Sequence, residues 1–165
     1  MSKPIVGIIM GSESDLDIMV QAANTLKEFS VNHEVRIISA HRTPSVMAEY
    51  AVSAMKRGLK LIIAGAGGSA HLPGMTASHT VLPVIAVPIK REGHDHEALW
   101  SNIKMPAGMP LATMPENGAK NAALLAVEIL SLSDMALARK YEAFRQKQHD
   151  EVIKTDKKLQ QTLTK

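Results

Sequence analysis

The sequence predicts an α/β fold built on an open parallel sheet. Three observations carry this: short apolar runs rich in β-branched residues, longer intervening stretches with helical apolar spacing, and turn-forming residues closing the runs. Residues 5–10, 35–38, 61–64 and 84–87 are the runs, each followed by Gly, Ser or Pro. Such runs read as strands buried on both faces. Helical spacing marks residues 16–29 and 46–55, and a small-residue segment after Gly68 completes the third unit. Strand alternating with helix implies parallel βαβ units with right-handed crossovers.

Further along, residues 98–103 are expected to be helical, 111–113 to add a fifth strand, and 119–132 to form an Ala/Leu-rich helix apolar enough for burial on more than one side. From Met135 onward there is neither Gly nor Pro, and Leu137, Tyr141 and Phe144 mark an amphipathic helix. Residues 1–165 are read as one domain, in which about 134–165 form a C-terminal helical extension that packs on its own domain or on a neighbour. There is no repeat, low-complexity tract or linker.

Cysteine is absent, which removes thiolate nucleophiles, Cys-based zinc sites and disulfides. The N-terminus lacks the features of a signal peptide, and no apolar run approaches the roughly 20 residues of a membrane span. The chain is therefore read as soluble and cytoplasmic, with no membrane partner. Its charge of +3 is a tail property: residues 139–165 carry eight Lys/Arg against four Asp/Glu. With only five aromatic residues there is no stacking platform for single-stranded bases, so nucleic acid is not expected as a partner.

In an open parallel sheet, ligands bind beyond the carboxyl ends of the strands, where loops and helix N-termini converge. Three segments occupy that place. Gly11-Ser-Glu-Ser-Asp15 follows the first strand: Gly11 allows a close turn, and Ser12, Ser14 and the first-turn amides can donate to a phosphate. The alternative is a simple helix cap, since Ser14 with Asp17 resembles a capping box. Ser39-Ala-His-Arg-Thr-Pro44 follows the second strand, and Thr43 as N-cap with Pro44 in the first turn starts a helix just after His41 and Arg42. A lone histidine there could be structural, but the adjacent Arg42 supplies a fixed charge for phosphate while an imidazole exchanges protons near neutrality. Gly65-Ala-Gly-Gly-Ser-Ala-His-Leu-Pro-Gly74 follows the third. Gly65, Gly67 and Ala70 fit a relaxed dinucleotide fingerprint, yet Lys90 and Arg91 stand where a ribose-binding acid is expected. A bare-backbone loop against a planar ligand fits better, with His71 facing that ligand or buried as a hydrogen-bonder. His94 and His96 lack a further defined ligand set, so no metal is assigned. His33, His79 and His149 stand singly and are read as surface or packing residues, and the ten Met as core filler.

Met10-Gly-Ser-Glu-Ser-Asp15, Ser39-Ala-His-Arg-Thr-Pro44 and Ala64-Gly-Ala-Gly-Gly-Ser-Ala-His-Leu-Pro-Gly-Met75 together resemble the phosphoribosylaminoimidazole carboxylase catalytic subunit family, whose bacterial-type members are N5-carboxyaminoimidazole ribonucleotide mutases. The resemblance continues through Lys104-Met-Pro-Ala-Gly-Met-Pro110 and Asn121-Ala-Ala-Leu-Leu-Ala126. It implies a flavodoxin-like three-layer αβα sandwich, a homo-octamer, no cofactor and no metal. By position it implies His41 as acid/base, Ser12 and Arg42 toward the substrate phosphate, and Asp15 toward the ribose. Gly11, Ser14, Ser39 and Ala40 would flank them, and Gly65, Ala66, Gly67, Gly68, His71 and Leu72 would border the ring and the migrating carboxylate. One family branch carboxylates aminoimidazole ribonucleotide directly and typically has Lys-Gly where this chain has Arg42-Thr43, so the resemblance favours the mutase. Ser69, residues 90–100 and residues 114–118 depart from the usual pattern. Two other functions stay open at this stage: direct carboxylation, and a non-catalytic nucleotide-binding module that would keep Arg42 and the glycines without needing His41.

Overall fold

A computed structural model describes residues 3–93 and 96–163. It runs β1 (Val6–Met10), a 3-10 turn (Glu13–Asp15), α1 (Leu16–Glu28), β2 (His33–Ile37), α2 (Pro44–Arg57), β3 (Leu61–Gly67), α3 (His71–Ser78), β4 (Val84–Ile89), α4 (Glu97–Ile103), β5 (Ala112–Thr113), α5 (Ala119–Ser131) and α6 (Met135–Leu163). All strand pairs are parallel, in the order β2-β1-β3-β4-β5. This is the parallel sheet of βαβ units that the alternation of runs predicted, in the flavodoxin-like arrangement that the family resemblance implied.

Helices cover both faces of the sheet because β1, β3 and β4 expose almost nothing and must bury side chains on each side. On one face Ile9, Ile62 and Ala64 meet Met47 and Tyr50 of α2, Leu72 of α3 and Ala98 of α4 in one cluster. Gly7 points the same way, and a Cβ there would strike the Tyr50 hydroxyl, which donates to Glu34 Oε1 at 2.7 Å. Gly65 faces the opposite side and lies against Met19 of α1, so α1 forms the third layer.

Strand two departs from expectation. It begins at His33 rather than Val35 and is an edge strand, with Val35 41% and Ile37 55% exposed, not buried on both faces. An apolar run cannot by itself distinguish an edge strand from a central one; only the pairing order does. The register sets Met10 beside both Ile37 and Gly65, so the carboxyl ends of β1, β2 and β3 finish side by side.

The chain forms two units, Met1–Ala126 and Val127–Lys165. In the second, Asp134 caps α6 by accepting from the amides of Ala136 and Leu137 at 2.9 and 3.0 Å. Tyr141 donates to Glu128 at 2.7 Å and stacks on Phe144 with ring centroids 6.2 Å apart. Among the described residues, no helix is long and apolar enough to cross a membrane.

Candidate active site

At the end of β1, Ser12 adopts an extended conformation and its side chain accepts from the Ser14 amide at 3.4 Å, while Asp15 Oδ2 accepts from the Ser12 amide at 3.1 Å. The capping box is therefore Ser12 with Asp15, not Ser14 with Asp17, because a 3-10 turn precedes α1. Asp15 is 2% exposed. Burial pushes its carboxyl above the usual carboxylate range, opposed first by the Arg91 guanidinium and then by the amides of Ser12 and Gly11 and the charge of Arg42.

At the end of β2, the expected helix start at Thr43-Pro44 is present, but the Thr43 side chain does not cap α2. Its hydroxyl instead donates to the Ser39 carbonyl at 2.9 Å and accepts from the Ser39 amide at 3.0 Å, closing the loop on itself. The Ser39 hydroxyl accepts from the Arg42 amide at 3.1 Å and from Arg42 Nε at 3.3 Å, and Arg42 Nη2 donates to the Gly11 carbonyl at 2.8 Å. Arg42 is thus held across the ends of β1 and β2 by neutral oxygens, and its charge remains available to an anion.

At the end of β3, Gly68 and Ala70 take positive φ values of 59° and 45°, turning the chain sharply into α3 with His71 as its first residue. That turn brings His71 Nδ1 within 2.8 Å of His41 Nε2, with the two rings edge to face at 86°. One ring must supply the proton of that bond and the other accept it, so two imidazoles from separate loops share a proton at the mouth of the crevice.

The three segments enclose a crevice of about 430 Å³. Gly11, Ser12 and Asp15 line it from the first; Ser39, Ala40, His41 and Arg42 from the second; Ala66, Gly67, Gly68, His71 and Leu72 from the third. Two expected residues do not. Gly65 lies further back along β3, packed against Met19 of α1, and the Ser14 hydroxyl accepts from Arg91 Nη2 at 3.0 Å. Two lining residues were missed: Ala70, and Arg91 from the loop after β4. The strand-end rule that selected the first three loops would also have selected Arg91, one residue beyond Lys90.

The remaining histidines lie elsewhere. His33 Nδ1 pairs with the Val31 carbonyl, His79 Nδ1 with the Met75 carbonyl, and His149 with Asp150 on the tail helix. His96 pairs with Glu116, and its suggested partner His94 lies outside the described residues. Among the described residues, no group of three or more His, Asp or Glu could hold a metal ion.

A doubly wound sheet with its ligand crevice where β1 gives way to β2 on one side and β3 on the other, walled by two arginines and two facing imidazoles, defines a flavodoxin-like α/β enzyme for an anionic ligand. Residues 5–151 match the model of the AIR carboxylase family, and the chain belongs to that family. It is 50% identical over 159 residues to the N5-carboxyaminoimidazole ribonucleotide mutase of Thermotoga maritima, covering 96% of this chain and 93% of that protein. It is 54% identical over 161 residues to the phosphoribosylaminoimidazole carboxylase of Saccharomyces cerevisiae, covering 97% of this chain but spanning only 28% of that longer protein. The crystal structure of Treponema denticola PurE superposes with a TM-score of 0.84 at 35% identity, over 94% of this chain and 98% of that one.

Proposed function

We propose that this chain is an N5-carboxyaminoimidazole ribonucleotide mutase of purine biosynthesis, an isomerase that interconverts N5-carboxyaminoimidazole ribonucleotide and 4-carboxy-5-aminoimidazole ribonucleotide. The observation that carries this reading is the hydrogen-bonded pair of His41 and His71 beside Arg42, at the crevice mouth. A proton donor and acceptor stands next to a fixed cation, which suits a phosphorylated substrate whose reaction consists of proton transfers around a carbon dioxide.

The substrate's carboxyl is a carbamate. Protonation of its exocyclic nitrogen by His41 lets the nitrogen–carbon bond break, with its electrons kept on nitrogen and carbon dioxide released into the crevice. Carbon 4 of the electron-rich aminoimidazole then attacks that carbon dioxide, and the now basic His41 removes the proton from carbon 4. The electrons return to the ring, and the imidazole is left protonated for the next cycle. His71, sharing a proton with His41, would keep that ring oriented between the two steps. Ser12 and Arg42 would take the phosphate, and Asp15 a ribose hydroxyl. The Gly67-Gly68 backbone would lie against the ring and help retain carbon dioxide.

The proposal treats residues 1–165 as one mutase domain working as a cytoplasmic homo-octamer. Exposed Val35 and Ile37 on the edge strand, with Val52 and Met55 on α2, support assembly, since an uncovered apolar edge invites pairing. The test is to supply the carbamate substrate without ATP or metal, and in parallel aminoimidazole ribonucleotide with bicarbonate. Ring-carboxylated product from the carbamate alone is the expected result. Product only from the second mixture would convert the reading to direct carboxylation, and ligand binding with no product from either would reduce it to a nucleotide-binding module.

A further inference from the structure

Arg91 stands just beyond β4 and its side chain is laid over β3. A Cβ on Gly67 would come within 3.2 Å of Arg91 Cγ and 2.8 Å of its Nε, so the missing side chain at Gly67 is the space that the Arg91 stem occupies. The guanidinium then reaches three acceptors of the first loop: the Ser14 carbonyl at 3.3 Å, the Ser14 hydroxyl at 3.0 Å and Asp15 Oδ1. The Asp15 side chain is 3% exposed and its other oxygen already accepts from the Ser12 amide, so the carboxylate is gripped from both ends. A carboxylate offers about four acceptor directions, and beyond Arg91 and the amides of Ser12 and Gly11 one remains for a sugar hydroxyl.

The charge arrangement has a second effect. One acid and two arginines line the crevice. With Arg91 paired to Asp15, Arg42 keeps its bonds to the Gly11 carbonyl and the Ser39 hydroxyl and is not drawn to the acid. The crevice is thereby divided into an acceptor end for a sugar hydroxyl and a cationic end for phosphate.

We propose that Arg91 is a positioning residue of this site, holding the Asp15 carboxylate in place for a ribose hydroxyl and leaving Arg42 free for the phosphate. The proposal rests on the ribonucleotide reading of the crevice. It assigns a function to Arg91 alone within the 90–100 segment, which departs from the family pattern, and makes Gly67 a packing requirement of Arg91.

The test compares the whole protein with R91K, R91Q, D15N and the D15N/R91Q double variant. With carboxyaminoimidazole ribonucleotide, R91Q should raise KM about tenfold or more while lowering kcat no more than about threefold, the loss expected of a charge-assisted contact that orients substrate. R91K should recover most of the loss. In the D15N background, adding R91Q should cost less than about twofold, because Arg91 then has no carboxylate to hold. The R91Q defect should deepen as pH falls, since a buried Asp15 without its nearest counter-charge takes up a proton more readily. Arg42, His41 and His71, the other charged or titratable groups on the crevice, are common to all variants. Ribose 5-phosphate, titrated calorimetrically, should lose affinity in R91Q by a similar factor without any turnover being needed. Unchanged KM and unchanged ribose 5-phosphate affinity in a folded R91Q protein would overturn the proposal, as would an equal penalty with and without Asp15. If wild type binds ribose 5-phosphate more tightly than R91Q yet fails to turn over the carbamate, the mutase reading falls and the role of Arg91 stands.

Discussion

The crevice rim and the tail helix α6 solve the problem of stability in opposite ways. At the rim the functional side chains are held by polar contacts with one another: Arg42 by Gly11 and Ser39, Asp15 by Ser12 and Arg91, His41 by His71. The tail helix is 29 residues long, about 43 Å at about 1.5 Å per residue, and of its apolar side chains only Leu137 is buried. Its Val152, Leu159 and Leu163 lie open at spacings of seven and four residues, which recur on one side of a helix. The rim is organised before its ligand arrives, whereas the tail displays an apolar stripe that nothing within its own unit covers. Preorganised polar contacts suit chemistry, and the assembly role proposed for the tail rests on its exposed apolar side chains.

The strongest way to break that contrast is at His41. His41→Asn should retain nucleotide affinity within a few fold, because the phosphate and ribose contacts remain, while turnover falls about 100 to 10,000 fold. Single-turnover kinetics alongside calorimetry separates the two, and turnover within tenfold of wild type in a folded, ligand-binding variant would move the proton transfers to His71. Arg42→Ala comes next and should weaken nucleotide binding by about 1.5 to 3 kcal/mol. An unaltered dissociation constant would show that its charge faces no phosphate.

On the tail side, truncation after Leu132 should lower the oligomeric state while preserving the circular-dichroism signature of the α/β unit, and native mass spectrometry reads it. A full octamer from the truncated chain would mean that α6 is dispensable for assembly. The smallest effect is expected from Asp15→Asn on stability. The folded carboxyl is pushed up, so the folded state binds the Asp15 proton more tightly than the unfolded chain does. The stabilisation from that group is complete below the unfolded pKa of about 3.9 and is lost as pH rises through the higher folded value. The melting temperature of wild type relative to Asp15→Asn should therefore fall as pH rises from about 4 to about 7. The opposite slope would indicate that Arg91 outweighs burial.

Much of this molecule was legible in its residues. Hydrophobic period separated strands from helices, and the gap between Thr43-Pro44 and the preceding apolar run placed His41 and Arg42 at a strand end. Local signals of this kind depend on neighbours in sequence, and so a sequence carries them. The misreadings share a different origin. Val35 and Ile37 look the same whether β2 is central or at the edge, and Gly65 and Gly67, two residues apart on one side of β3, meet different partners, Met19 and Arg91. Ser14 lost its place in the capping box to Ser12 through a single 3-10 turn.

What the sequence determined by itself was the alternation of elements, the three loops that carry chemistry and, by resemblance, the reaction they suit. What only tertiary structure decided was which side chains meet: His41 with His71, Arg42 with Gly11, and Arg91 with Asp15 across 76 positions of chain. Those meetings depend on strand order and register, which align the ends of β1, β2 and β3 within one crevice. Order and register are fixed by the simultaneous burial of both sheet faces, a property of the whole chain that no local window contains.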